Sequence, residues 1–584
     1  MAAWIRFISA CWCLAMVHSG HAAVLRSSTY LGGNGTDWIG GMELAPDGTL
    51  TIAGYTSSTN LATTPGALQP ARAGGLWDCF VARLSADGSE LLMLTYLGGT
   101  DLERALDLTH LPDGGIVVVG STQSNDFPGV ETPGRSGHED PFVVVLEPDG
   151  TSLRYTRVLR SPSSLGAHVT EWRAVAIGAA GEIHVYGRTR NRPLPVLEPV
   201  QAEYGGGVSD GFLATYSPDG DLLQASYLGG LGREIPYDLA VAPDGRLIVI
   251  GETDNADYPQ VGPPWPGESC TGSDCGFDGF ITVLSPDGGE ILASRRVGGM
   301  GHDGLNHVRA LPDGRIQIVG NTQGGFPTRT SLPAVPASPP SGLLLELQVD
   351  DLRMTAAVGL EFWADSLAST LSGSLVLLGE IDRPVSWLRE PVDDVFAGPS
   401  ELMMMVVDPC LEVIEQATYL GGSDEESGVL ESLLIDSNGE AWVGGSTRSR
   451  DFPTLTPVQP WQAGDRDGVL ARLGDLDSTT PTPTPLGNLR LRHAAGRVGV
   501  EVDAPPIAAE LLLAQGDLDS LRVDRAYSHG VVACAAPGDE LGVDSPDDDV
   551  YFLAFERSCG TSLAGVDSSG SPRPAWVAGT GACP

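Results

Sequence analysis

Thr29-Tyr30-Leu31-Gly32-Gly33 returns as Thr95-Tyr96-Leu97-Gly98-Gly99, as Ser226-Tyr227-Leu228-Gly229-Gly230 and as Thr418-Tyr419-Leu420-Gly421-Gly422. Worn copies begin at Thr156 (Thr-Arg-Val-Leu-Arg), Arg295 (Arg-Arg-Val-Gly-Gly) and Ala356 (Ala-Ala-Val-Gly), so seven starts follow one another at intervals of 61 to 70 residues. A long fixed period means stacked copies of one supersecondary unit, and seven such units can close into a ring.

Working outward from the motif, each unit reads as four short strands. In the first, Gly40–Ala45 precedes the tight turn Pro46-Asp47-Gly48, and Thr49–Tyr55 is rich in β-branched and aromatic residues. A long Ser/Thr/Pro/Gly loop runs from Thr56 to Trp77, then Phe80–Leu84, an Asp87-Gly88 turn and Glu90–Leu97 complete the unit. Asp-Gly between apolar runs is a hairpin signal because Gly tolerates positive φ. Four antiparallel strands per unit is one propeller blade, strands a to d running from inside to outside. The fold class is therefore all-β, a seven-bladed β-propeller. Both Asp-Gly turns fall on one face, and the long b–c loops and Gly-Gly d–a loops fall on the other, where binding is expected.

The seventh copy supplies Gly428–Ile435, Ala441–Ser446 and Gly468–Leu473 but no fourth strand, while Val24–Leu31 is a d-type strand without a blade. Pairing the two closes the ring and leaves no open sheet edge there. The recurring Tyr-Leu-Gly-Gly and Pro-Asp-Gly, with Gly54-Tyr55-Thr56-Ser57-Ser58-Thr59 and Asp78-Cys79-Phe80-Val81-Ala82-Arg83-Leu84-Ser85, resemble the SBBP-type β-propeller repeats of bacterial exported proteins. The resemblance covers about residues 24–477 and is strongest in copies one, two, four and seven. It implies a seven-bladed ring and an extracellular setting, and no particular reaction.

The ends carry their own signals. Arg6, the apolar run Phe7–Val17 and the small residues Gly20 and Ala22 read as a secretory signal over residues 1–22. The ring is expected over 23–477. Residues 478–486 form a Thr/Pro linker, which is extended and semi-rigid. Residues 487–584 alternate as strands and fit a small β-sandwich. The run Tyr551–Gly560 with Gly565–Arg573 and Cys583-Pro584 is similar to a fibronectin type III-like module of secreted bacterial proteins. In an exported chain some cysteines should pair. Cys270 and Cys275 sit in one short loop and are expected to bridge, a metal pair being the other reading. Cys534, Cys559 and Cys583 are expected to share one disulfide, and Cys79 and Cys410 to be small buried residues.

The chain has 584 residues, with 34 basic against 75 acidic and a net charge of −41. Such a chain is repelled by nucleic acid and by anionic lipid, which excludes both as partners. No segment after the signal is apolar enough to insert in a membrane.

The most regular chemistry is an acid four residues past Gly-Gly: Asp37, Glu103, Glu234, Asp303 and Glu426, with Glu171 and Asp365 as looser equivalents in copies three and six. One carboxylate per blade at the channel mouth could form an acidic rim for cations, Ca²⁺ above all, which takes several oxygen ligands. The plainer reading is that each acid accepts backbone hydrogen bonds in its own loop. A second series, Asp78, Asp140, Asp210, Asp278 and Asp467, precedes the third strand and reads as loop-closing. His302 and His307 share the d–a region of copy five with Asp303 and could ligate a metal, but residues five apart on an extended segment face opposite ways. Arg157, Arg160, Arg173, Arg188, Arg190 and Arg192 gather in copy three, where His168, Glu171 and Trp172 break the pattern. They read as an anion or glycan contact, or as a solvated face that neutralises nearby acids.

No Gly-x-Ser-x-Gly elbow, His-Glu-x-x-His, P-loop, dinucleotide fingerprint or EF-hand loop is present. The sequence thus points to a secreted or cell-surface, non-enzymatic binding or display scaffold, without a cofactor, whose partner is an extracellular protein or glycan. The alternatives are a propeller hydrolase or lyase acting on extracellular glycans, and an architectural spacer. A deep channel site with paired carboxylates or a perturbed His would mark the enzyme.

Overall fold

The computed structural model describes residues 23–476, apart from loop segments 131–137, 161–169, 191–193, 263–264, 266–275, 300, 328–329, 332–340, 410, 412 and 429–431. After residue 476 it describes strands only, without their side chains. The proposed signal, the Thr/Pro linker, Cys270, Cys275, Cys410, Cys559 and Cys583 lie outside the described residues.

Seven sheets form the ring. The first blade is Asp37–Leu44, Leu50–Thr56, Asp78–Leu84 and Leu91–Leu97, hydrogen-bonded in that order and all antiparallel. The a–b and c–d turns are tight, with Gly48 at φ 82° and Gly88 at φ 75°, a region closed to most side chains. The second to sixth blades repeat this order, beginning at Glu103–His110, Thr170–Ile177, Glu234–Val241, Asp303–Ala310 and Trp363–Ser369. The fifth gains a short strand, Thr330–Ser331, running parallel to Met354–Leu360.

The seventh blade joins the two ends of the ring. Val24–Leu31 pairs antiparallel with Asp467–Gly474, which pairs with Ala441–Thr447. The innermost strand expected at Gly428–Ile435 is broken into Glu426–Ser427 and Leu433–Ile435, both paired with Ala441–Thr447. Each innermost strand packs on the next, and the last, Leu433–Ile435, packs on Trp363–Ser369 while its neighbour Ala441–Thr447 touches Asp37–Leu44, so the circle is complete.

Apolar side chains fill the spaces between blades. Val117, Val119, Val143 and Val145 of the second blade pack with Trp172, Val175 and Ile183 of the third. Each fully buried side chain of this size stabilises by about 1.5–3 kcal/mol, so the inter-blade layers dominate cohesion.

The Tyr-Leu-Gly-Gly motif has a structural cause at each position. The Tyr96 hydroxyl donates to the Ser58 carbonyl at 3.0 Å and accepts the Leu61 N–H at 2.9 Å, pinning the b–c loop to the outer strand. Tyr30, Tyr227 and Tyr419 accept loop N–H groups in the same way. The first glycine leaves room for an acid: a Cβ on Gly98 would lie 2.6 Å from the Asp78 carboxyl, and one on Gly32 equally close to Asp467.

The expectation of disulfides is corrected. Among the described residues no Sγ–Sγ pair is formed, and Cys79, the cysteine whose side chain is described, is a free thiol. It is fully buried among Ala53, Val81 and Phe142 and serves as a small apolar core residue. Of the late cysteines, Cys534 lies on the strand His529–Ala535.

The chain divides into two compact units. In the second, Leu489–Ala494, Arg497–Val502 and Leu541–Asp544 form one sheet, and His529–Ala535, Leu511–Asp517 and Val550–Glu556 form another. Leu563–Val566 pairs with Pro572–Pro574. Among the described residues no helix is long and apolar enough to cross a membrane.

Candidate functional site at the channel mouth

The five regular acids begin the innermost strands and are buried. Asp37 accepts the Gly33 N–H and the Ser58 hydroxyl, both at 2.8 Å, and the Thr56 hydroxyl. Glu103 accepts from Gly99 at 2.8 Å and Thr122 at 2.7 Å, and Glu234 from Gly230 at 3.2 Å and Thr253 at 2.8 Å. Asp303 accepts from Gly299 at 2.7 Å, and Glu426 from Gly422 at 3.1 Å and Thr447 at 2.6 Å. Each carboxyl thus holds the second motif glycine of its d–a loop, and those of Asp37, Glu103, Glu234 and Glu426 clasp it to a threonine on strand b. Burial pushes their pKa values up, to about 8 for Glu234 and about 7 for Glu426. Each acid is turned into its own blade. Among the described residues no three metal-ligating side chains lie together.

Glu171 and Asp365 do not occupy the equivalent positions. The residue that pairs as Asp37 pairs with Thr56 is Thr170, opposite Thr189, in the third blade. In the sixth blade, where the inner strand starts one residue later, Trp363 opposite Glu380 matches Trp38 opposite Tyr55. The third-strand series closes loops: Asp78 accepts the Ala73 N–H at 2.8 Å, and Asp467 accepts Ala463 at 2.8 Å and Gly464 at 3.1 Å.

What varies between copies gathers elsewhere. Every complete inner strand carries a β-bulge, which follows Ile39, Ala105, Trp172, Pro236, Leu305 and Ala364 in the first six blades. The extra residue breaks strand alternation and re-aims its side chain. In blades three to six that residue is Arg173, Tyr237, Asn306 and Asp365. Arg173 lies over the Tyr237 ring at 5.8 Å, and the Asn306 amide donates to Asp365 at 3.2 Å.

These residues belong to a belt that runs around the axis at the start of the inner strands. Arg104 pairs with Glu139 and, at 3.1 Å, with Glu171. Glu171, buried, also receives Arg173 and Arg188 at 2.9 Å each. These three guanidiniums outweigh burial and hold its carboxyl down at about 2. Glu252 lies 2.7 Å from His302 Nε2. Past Asn306 comes Asp365, whose carboxyl is raised to about 7 by burial and by the neighbouring Glu380. Glu380 is itself raised by burial. Arg466 then binds Glu425 at 2.7 Å and covers the Trp38 ring at 4.6 Å. Trp38 stacks on Tyr55, which meets Trp77 edge-on at 5.4 Å. One arc of the mouth is cationic, around blades two and three. The opposite arc, around blades four to six, is acidic.

His302 and His307 do not converge. His302 meets Glu252, whereas His307, beyond the bulge, has Nδ1 3.0 Å from Ser366 Oγ and Nε2 4.0 Å from Asp238. Asp238, His307 and Ser366 have the order of a nucleophilic triad. Ser366 is fully buried, and Asp238 is already bonded to the Val308 N–H at 2.6 Å, so the set staples three blades together. Of the clustered arginines, Arg173 and Arg188 reach the belt; Arg157 instead binds the Gly220 carbonyl at 2.8 Å on an outer strand. Sequence reading missed Arg104, Glu139, Tyr237, Glu252, Glu380 and Arg466. Their signal was departure from the repeat, because a residue common to all blades serves the blade.

No protein-family model matches this chain, and no curated protein matches it. Solved structures of similar fold include a protein of unknown function from Dyadobacter fermentans DSM 18053, at 12% identity and TM-score 0.37, covering 77% of this chain and 99% of that one. Kuenenia stuttgartiensis hydrazine synthase follows at 11% and 0.36, covering 71% and 92%. The dihydro-heme d1 dehydrogenase NirN in complex with DHE stands at 12% and 0.34, covering 77% and 80%.

Proposed function

We propose that the protein is an exported binding protein whose ligand seat is the channel mouth on the long-loop face, and that the ligand is a glycan. One observation carries this reading. Seven blades contribute non-repeated charged and aromatic side chains to a single belt, and a saccharide needs that combination of ring platforms and hydrogen-bonding groups. The resemblance to SBBP-type repeats and the leader-like residues 1–22 support a secreted or cell-surface setting. The strands after Thr479 fit a fibronectin type III-like sandwich that would space or display the ring. A glycan array probed with the full chain tests the reading. Binding to one glycan class, lost in Trp38→Ala with the circular dichroism unchanged, is expected; an array without any bound glycan refutes it.

A second reading, glycan cleavage, is favoured by Asp365. With Glu380 beside it, Asp365 retains its proton for part of the time at neutral pH, the state a general acid needs. Release of reducing ends or unsaturated sugars from a polysaccharide panel, abolished in Asp365→Asn, would establish the enzyme. A panel left intact by the wild-type chain would dismiss it.

A further inference from the structure

We propose that the sugar taken at the channel mouth carries a carboxylate, that it is a uronic-acid residue of a polysaccharide, and that its acid group docks on the arginine arc formed by Arg104, Arg173 and Arg188. This rests on the glycan-binding reading and goes beyond it by naming the ligand class.

The arc has more cation than its own chain consumes. Three guanidiniums face two carboxylates, Glu139 and Glu171. Among these directly paired groups one positive charge is left over, with Glu252 and Arg190 the next charges beyond them, in a protein whose net charge is −41. Glu171 needs one of the three for neutrality. The side chains of Arg104, Arg173 and Arg188 keep 31%, 26% and 16% of their surface open, so an incoming group can reach them. Nε of Arg104 and Nε of Arg188 are buried without a hydrogen-bond partner, a desolvation cost that an anion held nearby would offset. Arg188 is also strained electrostatically. Burial, with the like charges of Arg173 and Arg190, pushes its guanidinium below the usual value, and an anion would relieve that cost. Guanidinium forks bind carboxylates in two parallel hydrogen bonds, which orients as well as attracts.

The surroundings select a sugar over a bare anion. Tyr237 lies under Arg173 and offers a ring face next to the arc. Glu252 beside Tyr237, with Asp365 and Glu380 further round the mouth, would accept hydrogen bonds from hydroxyl groups and repel a second anion. A pyranose with one carboxylate and several hydroxyls satisfies both arcs, whereas phosphate or a sulfated ring would place charge against the acids.

The test compares three probes on the full chain by calorimetry: polygalacturonate, the same polymer fully methyl-esterified, and neutral galactan. Esterification removes the charge and preserves the rings. The expected result is binding of polygalacturonate at least about tenfold tighter than the ester, since charge-assisted hydrogen bonds are roughly twice as strong as neutral ones. Arg173→Gln should erase that preference, with Arg157→Gln as the arginine control away from the mouth. Equal affinity for acid and ester overturns this inference and leaves the glycan-binding reading standing. Absence of binding to all three, with other glycans bound on the array, also overturns it. The acid–ester comparison uses the unmutated chain, so a variant that fails to fold does not rescue the idea.

Discussion

Tyr30→Phe removes one oxygen atom from the strand that closes the ring. Tyr30 is buried, its hydroxyl donates to the Ser449 carbonyl at 2.9 Å, and it accepts the Phe452 N–H at 3.0 Å. The ring itself stays packed edge-on against Phe452, 6.1 Å between centroids. The substitution therefore leaves two buried backbone groups without partners and changes little else. Each orphaned group costs about 1–3 kcal/mol, so the pair costs about 2–6 kcal/mol before any water enters. Tyr96→Phe deletes the same two bonds inside the first blade, whose four strands are continuous in sequence. Both variants should lower the urea midpoint without changing the slope. They should differ in place: hydrogen exchange should speed up at Val24–Leu31 and at the Phe452 loop in the Tyr30 variant, and at the Ser58–Leu61 loop in the Tyr96 variant. A Tyr30 variant within about 0.5 kcal/mol of wild type, well under the cost of one orphaned group, would refute the reasoning. So would unchanged exchange at the closing strand.

Two further perturbations follow from the buried charges. The carboxyls of Glu234 and Glu426 are raised to about 8 and about 7 from an ordinary 4.5, so the folded protein keeps protons that the unfolded chain has already released. Their contribution is complete below about pH 4.5 and is lost as pH rises to about 8. The melting temperature should fall across that window, and Glu234→Gln should flatten the slope; a slope unchanged by this substitution would remove Glu234 as its source. Glu171→Gln, in turn, leaves three guanidiniums crowded without their shared anion. Breaking a buried pair of this kind costs about 3 kcal/mol, discounted somewhat because the arginines are partly open. Thermal unfolding at low salt should show the loss, and added salt should recover part of it.

The ring was legible because its devices repeat. Tyr96 and Gly98 stand at positions where any other residue breaks a loop bond or strikes Asp78, and the copies keep them for that reason. The closing strand was legible because Val24–Leu31 carries the outer-strand motif without an inner partner in sequence. The site was not. Asp365 was aligned with the clasp acids by spacing alone, but it stands three residues past the clasp position, at the bulge after Ala364, where it meets Asn306. Tyr237 looked like one more strand residue until the bulge after Pro236 placed it under Arg173. A one-residue insertion sends every following side chain to the other face, and the sequence does not mark where it falls. Glu139 and Arg466 precede third strands and reach the mouth only through the stacking of blades. Cys79 was legible as a small buried residue, because it stands in the apolar run of a third strand and its surroundings are apolar.

Because the ribbon Val24–Leu31 zips onto Asp467–Gly474, the earliest part of the ring to be made depends on the latest. At synthesis rates of about 5–20 residues per second, the first segment waits on the order of half a minute or more for its mate. During that delay five consecutive core-facing residues, Ser27 to Leu31, have nowhere to go. A chaperone or a slow passage through a translocation pore would be most valuable in that interval, and misassembly between two growing copies most probable.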